Sequence, residues 1–151
     1  MWRGRHVNLP DAVASCLEQA FGTSVEHVEV IEHSLFARLH VRAVATTRRR
    51  RIYLRGSGAE FFQNPWLMLH EYCHVLKQWE SRELTTPRYL LECARRGYWN
   101  NRFEVEARAF ADAHLFLVQT TLKRSGDGSS AQQGFAVVEP AGDEHEQRAE
   151  R

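Results

Sequence analysis

Apolar residues along the first half of the chain change rhythm several times. From Pro10 to Phe21, Val13, Leu17, Ala20 and Phe21 recur at helical spacing and Gly22 closes the run, which predicts a helix. From Val25 to Ile31 the apolar positions alternate imperfectly, through Val25, Val28 and Val30, and a strand is predicted. A better alternation from Leu35 to Thr47 puts Leu35, Ala37, Leu39, Val41, Ala43 and Ala45 on one side of a second strand. Ile52, Tyr53 and Leu54 predict a third, short strand, ended by Gly56-Ser57-Gly58.

The pattern then turns helical and almost wholly apolar. Pro65 suits a first helical turn with Asn64 as its N-cap. Trp66, Leu67, Met68, Leu69, Tyr72, Cys73, Val75, Leu76 and Trp79 predict a buried helix over about 65–79. A loop from Ser81 to Thr86 leads through Pro87 into a helix of about 87–96, closed by Gly97. A last long helix, from about 101 to 123, carries Phe103, Ala107, Phe110, His114 and Leu117 on one stripe. Beyond Arg124 the text becomes Ser-Gly-Asp-Gly-Ser-Ser and then charged, so residues 125–151 read as a disordered polar tail. The predicted fold class is α+β. It has an N-terminal helix, a small mostly antiparallel sheet, the apolar helix and two further helices, in one domain over residues 1–124.

Composition narrows the setting. The 151 residues are 43% hydrophobic and 26% charged with a net charge of +1, an ordinary globular balance. No apolar run is long enough to span a bilayer, and the N-terminus lacks the apolar core of a signal peptide. Cys16, Cys73 and Cys93 form no C-x-x-C pair, and their odd number argues against a disulfide framework. The expected location is the cytoplasm, with export by a non-classical secretion or injection system as the alternative.

Inside the apolar helix stands His70-Glu71-Tyr72-Cys73-His74, which reads H-E-x-x-H. One turn carries a side chain from i to i+4 on the same face, so the two imidazoles can address one metal ion. Glu71 stands beside them as a base for a water. This is the zinc-metalloprotease motif. Imidazole nitrogen suits zinc, and the carboxylate takes a proton from the water that zinc activates. Two histidines and a glutamate in an apolar helix are costly without a partner, and the bland account would satisfy them by core hydrogen bonds. Cys73 falls between the histidines in sequence but faces the core.

Two histidines need a third ligand. Position 80 is Glu80, so the H-E-x-x-H-x-x-G-x-x-H pattern is absent. Glu104 and Glu106, at the start of an alanine-rich helix, are the carboxylate candidates. His114 is a further one, although a lone histidine on an apolar stripe is more often hydrogen-bonded core.

His70 to Trp79, followed about thirty residues later by the Tyr98 to Ala111 segment with its E-x-x-A, resembles the gluzincin metallopeptidases. The stretch of about 36–112 is most similar to the minimal bacterial zincins. These are the peptidase-like core domain associated with extracellular contractile injection systems and, more distantly, the minigluzincins. The ImmA/IrrE proteases share a Glu-x-Glu-Ala element matched by Glu104 to Ala107. The resemblance implies a small zincin-like fold, a Zn2+ cofactor held by His70, His74 and a glutamate, and zinc-dependent peptide hydrolysis with Glu71 as base. It places the ligand glutamate three residues before an alanine, which fits Glu104 with Ala107 and also Glu106 with Ala109; Glu104 is favoured. An endopeptidase acting on a peptide or protein is expected ahead of an exopeptidase. Many gluzincins brace a ligand histidine with an aspartate four residues after the glutamate. Here that place is Arg108, which leaves Asp112, Glu92 or a backbone carbonyl to serve.

Tyr98, just upstream of the ligand helix, is the candidate oxyanion donor, against an equal role as a packing aromatic. Trp66, Trp79 and Trp99 are expected to pack around the metal helix rather than line a cleft. Arg48 to Arg51 suit a solvated turn between strands better than a phosphate contact, because neither net charge nor any nucleic-acid-binding signature supports the latter. The rival functions are a non-catalytic zincin scaffold used in assembly and, behind it, a DNA-binding regulator using those arginines.

Overall fold

A computed structural model describes residues 4–35, 37 and 45–131. Its elements are β1 (Arg5–Val7), α1 (Asp11–Phe21), β2 (Glu29–Glu32), β3 (Ala45–Arg48), β4 (Arg51–Leu54), α2 (Gly58–Phe62), α3 (Pro65–Cys73) continued by a π-helical turn (His74–Trp79), α4 (Thr86–Arg96) and α5 (Arg102–Ala131). The chain is α+β, with helices gathered against one small sheet.

The sheet runs β1-β2-β4-β3. The β1–β2 and β3–β4 pairs are antiparallel, and β2–β4 is parallel, with Val30 opposite Ile52. On β4, Ile52 and Leu54 point into the core while Arg51 and Tyr53 do not, the alternation a half-buried strand requires. The core unites this face with α1, α3 and α5 through Leu17, Val25, Val30, Ile52, Met68, Leu69, Tyr72, Val75, Ala111 and Val118. Gly22, in the left-handed region at φ 69°, closes α1 as expected.

Several boundaries differ from the sequence reading. The strand expected from Val25 is only Glu29–Glu32, since residues 25–28 form a turn in which the Val28 N–H bonds to the Val25 carbonyl. The long strand expected over 35–47 is confined, among the described residues, to its end: Leu35 and Ala37 have helical backbone, and residues 36 and 38–44 lie outside the described residues. Alternating Leu and Ala residues also fit a helix, and neither type favours a strand strongly.

Strand β1 is not predicted, because three residues with two basic side chains carry no pattern; main-chain pairing to β2 makes it a strand. Helix α2 was hidden by the glycines. Ser57 and Glu60 form a reciprocal capping box that starts a helix where Gly56-Ser57-Gly58 suggests a turn. Gly58 is required by close approach, since a Cβ there would lie 2.8 Å from Val7 Cγ1. Helix α5 continues past Arg124 to Ala131, into the segment read as a polar tail, and residues 132–151 lie outside the described residues. Its buried stripe is Phe103, Ala107, Ala111 and Val118, so the expected Leu117 faces outward.

Glu32 ties three elements together from the middle of the sheet. Its buried carboxylate accepts the Gly58 N–H of α2 at 2.7 Å and the Arg5 guanidinium of β1. The Gly58 bond, then Arg5, hold its pKa below the usual carboxylate range. A lowered native pKa means that stability is present above the unfolded value and is lost as pH falls through the native one. The thermal midpoint is therefore expected to hold near neutrality and to drop once pH passes below the ordinary carboxylate range. Glu32→Gln should lower the neutral midpoint and flatten that acid limb; melting curves against pH for both proteins check this.

The four arginines fall where a turn was expected. Arg48 ends β3, Arg51 starts β4, and Arg49 between them has φ 55°. Arg51 bonds to Glu29 at 2.6 Å, and Arg50 lies 3.7 Å from Glu80.

Candidate metal centre

Helix α3 starts as its sequence requires, with the Asn64 side chain accepting the Leu67 N–H and Pro65 in the first turn. It buries everything from Met68 to Cys73, then widens at His74 into a π turn, in which the Glu80 N–H reaches back to the Val75 carbonyl. Turns of this kind occur often at functional sites. The long helix α5 packs across α3 along its small residues Ala107 and Ala111, which let the two backbones come close. Asn101 caps α5 through the Phe103 N–H. The crossing delivers Glu104 to the two histidines.

The geometry is compact. His70 Nε2 and His74 Nε2 face each other at 3.2 Å. Glu104 Oε2 lies 3.3 Å from the first, and Oε1 lies 3.6 Å from the second. One donor atom from each residue lies within 4.8 Å of the others, and all three residues are buried. Glu106, the other carboxylate candidate, is exposed and takes a hydrogen bond from Gln78. His114 stays apart, its Nδ1–H donating to the Phe110 carbonyl and its ring stacked on Phe110.

The residues fit a cation. Two imidazole nitrogens and a carboxylate converge in a buried spot, and Glu104 Oε2 has no hydrogen-bond donor there. Buried acceptors without a donor are costly, and an N,N,O set is one that zinc takes. Burial works against the Glu104 anion, but the two imidazoles and the Tyr89 hydroxyl outweigh it and hold the carboxyl well below its usual range. Burial likewise opposes the charged His74, yet Glu104 and Glu71 beside it raise its pKa overall. Glu71 is buried next to both histidines, and burial pushes its carboxyl up.

Residues 8–82 match the family model of the eCIS core domain. The chain carries an eCIS core domain. No curated protein and no solved structure matches the chain. The eCIS core segment takes in α1, β2 to β4, α2 and the metal helix with His70, Glu71 and His74. It ends before α4 and α5, so Glu104 comes from outside it.

Around the eCIS core histidines the orienting groups differ from those expected. Asp112 reaches neither imidazole; it accepts the Trp66 indole N–H at 2.8 Å, and Trp66 stacks on the His70 ring with centroids 5.1 Å apart. Glu92 pairs with Arg96 on its own helix. Instead Gln78, buried in the π turn, meets His74 Nδ1 at 2.7 Å, and the Tyr89 hydroxyl donates to Glu104 Oε1 at 2.7 Å. Neither was singled out from sequence. A polar residue four positions after a ligand, in an apolar helix, was the available signal for Gln78.

Tyr98 is half-exposed. Its phenol is pushed up to about 12 by burial, then by the charges of Glu104 and Glu71, so it keeps its proton near neutrality. Trp79 is half-buried, whereas Trp99 is 72% exposed. The expectation that Trp99 packs on the metal helix is therefore corrected: its ring lies under Arg108, which also donates to the Trp99 carbonyl.

Proposed function

We propose that this protein is a zinc-dependent endopeptidase whose ion is held by His70, His74 and Glu104. The convergence of those three buried side chains, with Glu71 beside both imidazoles, carries the reading. A zinc ion in such a site supplies Lewis acidity, polarising a carbonyl and acidifying a water. The Glu71 carboxylate takes the proton of the attacking water and passes it to the nitrogen of the leaving amine. The Tyr98 hydroxyl donates to the oxygen on which negative charge develops. Trp66 and Tyr89 hold His70 and Glu104 in place.

The substrate is an extended peptide. β3 is an outer strand of the sheet among the described residues and lies against the metal helix, so a peptide can pair along it. Among the described residues no helix is long and apolar enough to cross a membrane.

A fluorogenic peptide library is the test. Cleavage at internal bonds is expected with zinc, should vanish with a chelator, and should return when zinc is restored. A folded, zinc-loaded protein that leaves the library intact would overturn the enzymatic reading. It would favour the second one, a non-catalytic scaffold used in assembly, which draws on the eCIS core match and on its ending short of Glu104.

A further inference from the structure

We infer that Gln78 is the positioning residue of this centre: one buried amide selects the His74 tautomer that leaves Nε2 free for the ion, and pins the helix that delivers Glu104. The inference rests on the zinc-site reading above. Gln78 is fully buried in the π turn, four residues after His74.

The orientation of its amide is forced. The Nε2 end faces the main-chain carbonyl of Phe103 at 3.0 Å and Glu106 Oε2 at 3.1 Å. A main-chain carbonyl only accepts, so the NH2 group must point there. The amide oxygen is then left facing His74 Nδ1 at 2.7 Å. That oxygen also only accepts, so the proton sits on Nδ1. A neutral imidazole protonated at Nδ1 has a bare Nε2, and Nε2 is the atom turned toward His70 and Glu104. The other tautomer would aim an N–H at the ion.

His70 has no such selector. Its Nδ1 is buried without a hydrogen-bond partner, and its ring is held by stacking on Trp66. At Nδ1, therefore, one ligand has a hydrogen-bond partner and the other has none. The second hydrogen bond of Gln78 is equally local to the chemistry, because Phe103 directly precedes Glu104. One side chain thus registers the metal helix against the first turn of α5.

The full chain labelled with 15N-histidine tests this, with NMR reading the tautomer of metal-free His74 under mildly alkaline conditions. Zinc affinity is read in parallel by competition with a chromophoric chelator. The wild-type spectrum should show the proton on Nδ1. Gln78→Met keeps the bulk and removes all three hydrogen bonds; the Nδ1 preference should disappear and zinc affinity fall by about 10- to 100-fold. Gln78→Glu keeps an acceptor for Nδ1–H, so it should retain the wild-type tautomer signature, and loss of that signature would overturn the assignment.

A wild-type proton on Nε2, or Gln78→Met with unchanged affinity, overturns the role of Gln78. Should Gln78→Met fail to fold, the wild-type spectrum and Gln78→Glu still decide. A wild-type protein that takes up no zinc overturns the centre instead, and the tautomer spectrum continues to judge Gln78 separately.

Discussion

Glu71→Gln is expected to bind zinc as the wild type does and to hydrolyse peptides at least about 100-fold more slowly. The substitution keeps the volume of a residue that is buried beside His70 and His74, so folding and the ligand set are preserved. An amide at that position cannot take a proton from water. Relieving a buried carboxylate of its desolvation should, if anything, leave the metal-free protein a little more stable. Cleavage rates and metal content measured on the same samples check the prediction. Undiminished activity with full zinc would remove Glu71 from the mechanism.

Glu104→Ala is expected to abolish the thermal shift that zinc gives the wild type, whereas Glu106→Ala should keep most of it. An ion present at 1,000 times its dissociation constant stabilises the native state by about 4 kcal/mol. For a chain of this size that is roughly 10 °C in the melting midpoint. Removing the buried carboxylate that faces both imidazoles leaves two ligands, too few for a tight site. Glu106 is exposed and touches only Gln78 among these groups, so its loss disturbs orientation rather than binding. Melting curves with and without zinc on both variants decide between the two glutamates, and an equal loss in each would overturn the assignment.

Much of the site could be read from the sequence because it is local. H-E-x-x-H needs only helical spacing, and the apolar residues around it announce the helix. For the third ligand the sequence favours Glu104 but leaves Glu106 open, because motif spacing fits both. Helical phase contains the missing discrimination. Glu104 shares a face with Ala107 and Ala111, both fully buried, while Glu106 points away from them. Reading the stripe through Phe110 and Leu117 instead of Ala111 and Val118 obscured that phase, since bulky residues look like core and alanines do not. In fact close helix crossing selects the alanines.

What stayed hidden is non-local. Pairing partners make β1 a strand, Ser57 and Glu60 together override two glycines to start α2, and Gln78 acquires its role only when α5 arrives with Phe103 and Glu106. None of these partners is close enough in sequence to form a pattern within one window, except the capping box, which was present and went unread.

Helix α4 buries no residue of its own; the Tyr89 hydroxyl and ring and the Asn101 amide tie it to the start of α5. It lies on the stretch of chain between His74 and Glu104. An ion bridging those two residues would act as a cross-link, turning that stretch into a closed loop. Loss of the ion would then reopen the loop, and the element set free would be the weakly anchored helix rather than the sheet or the core.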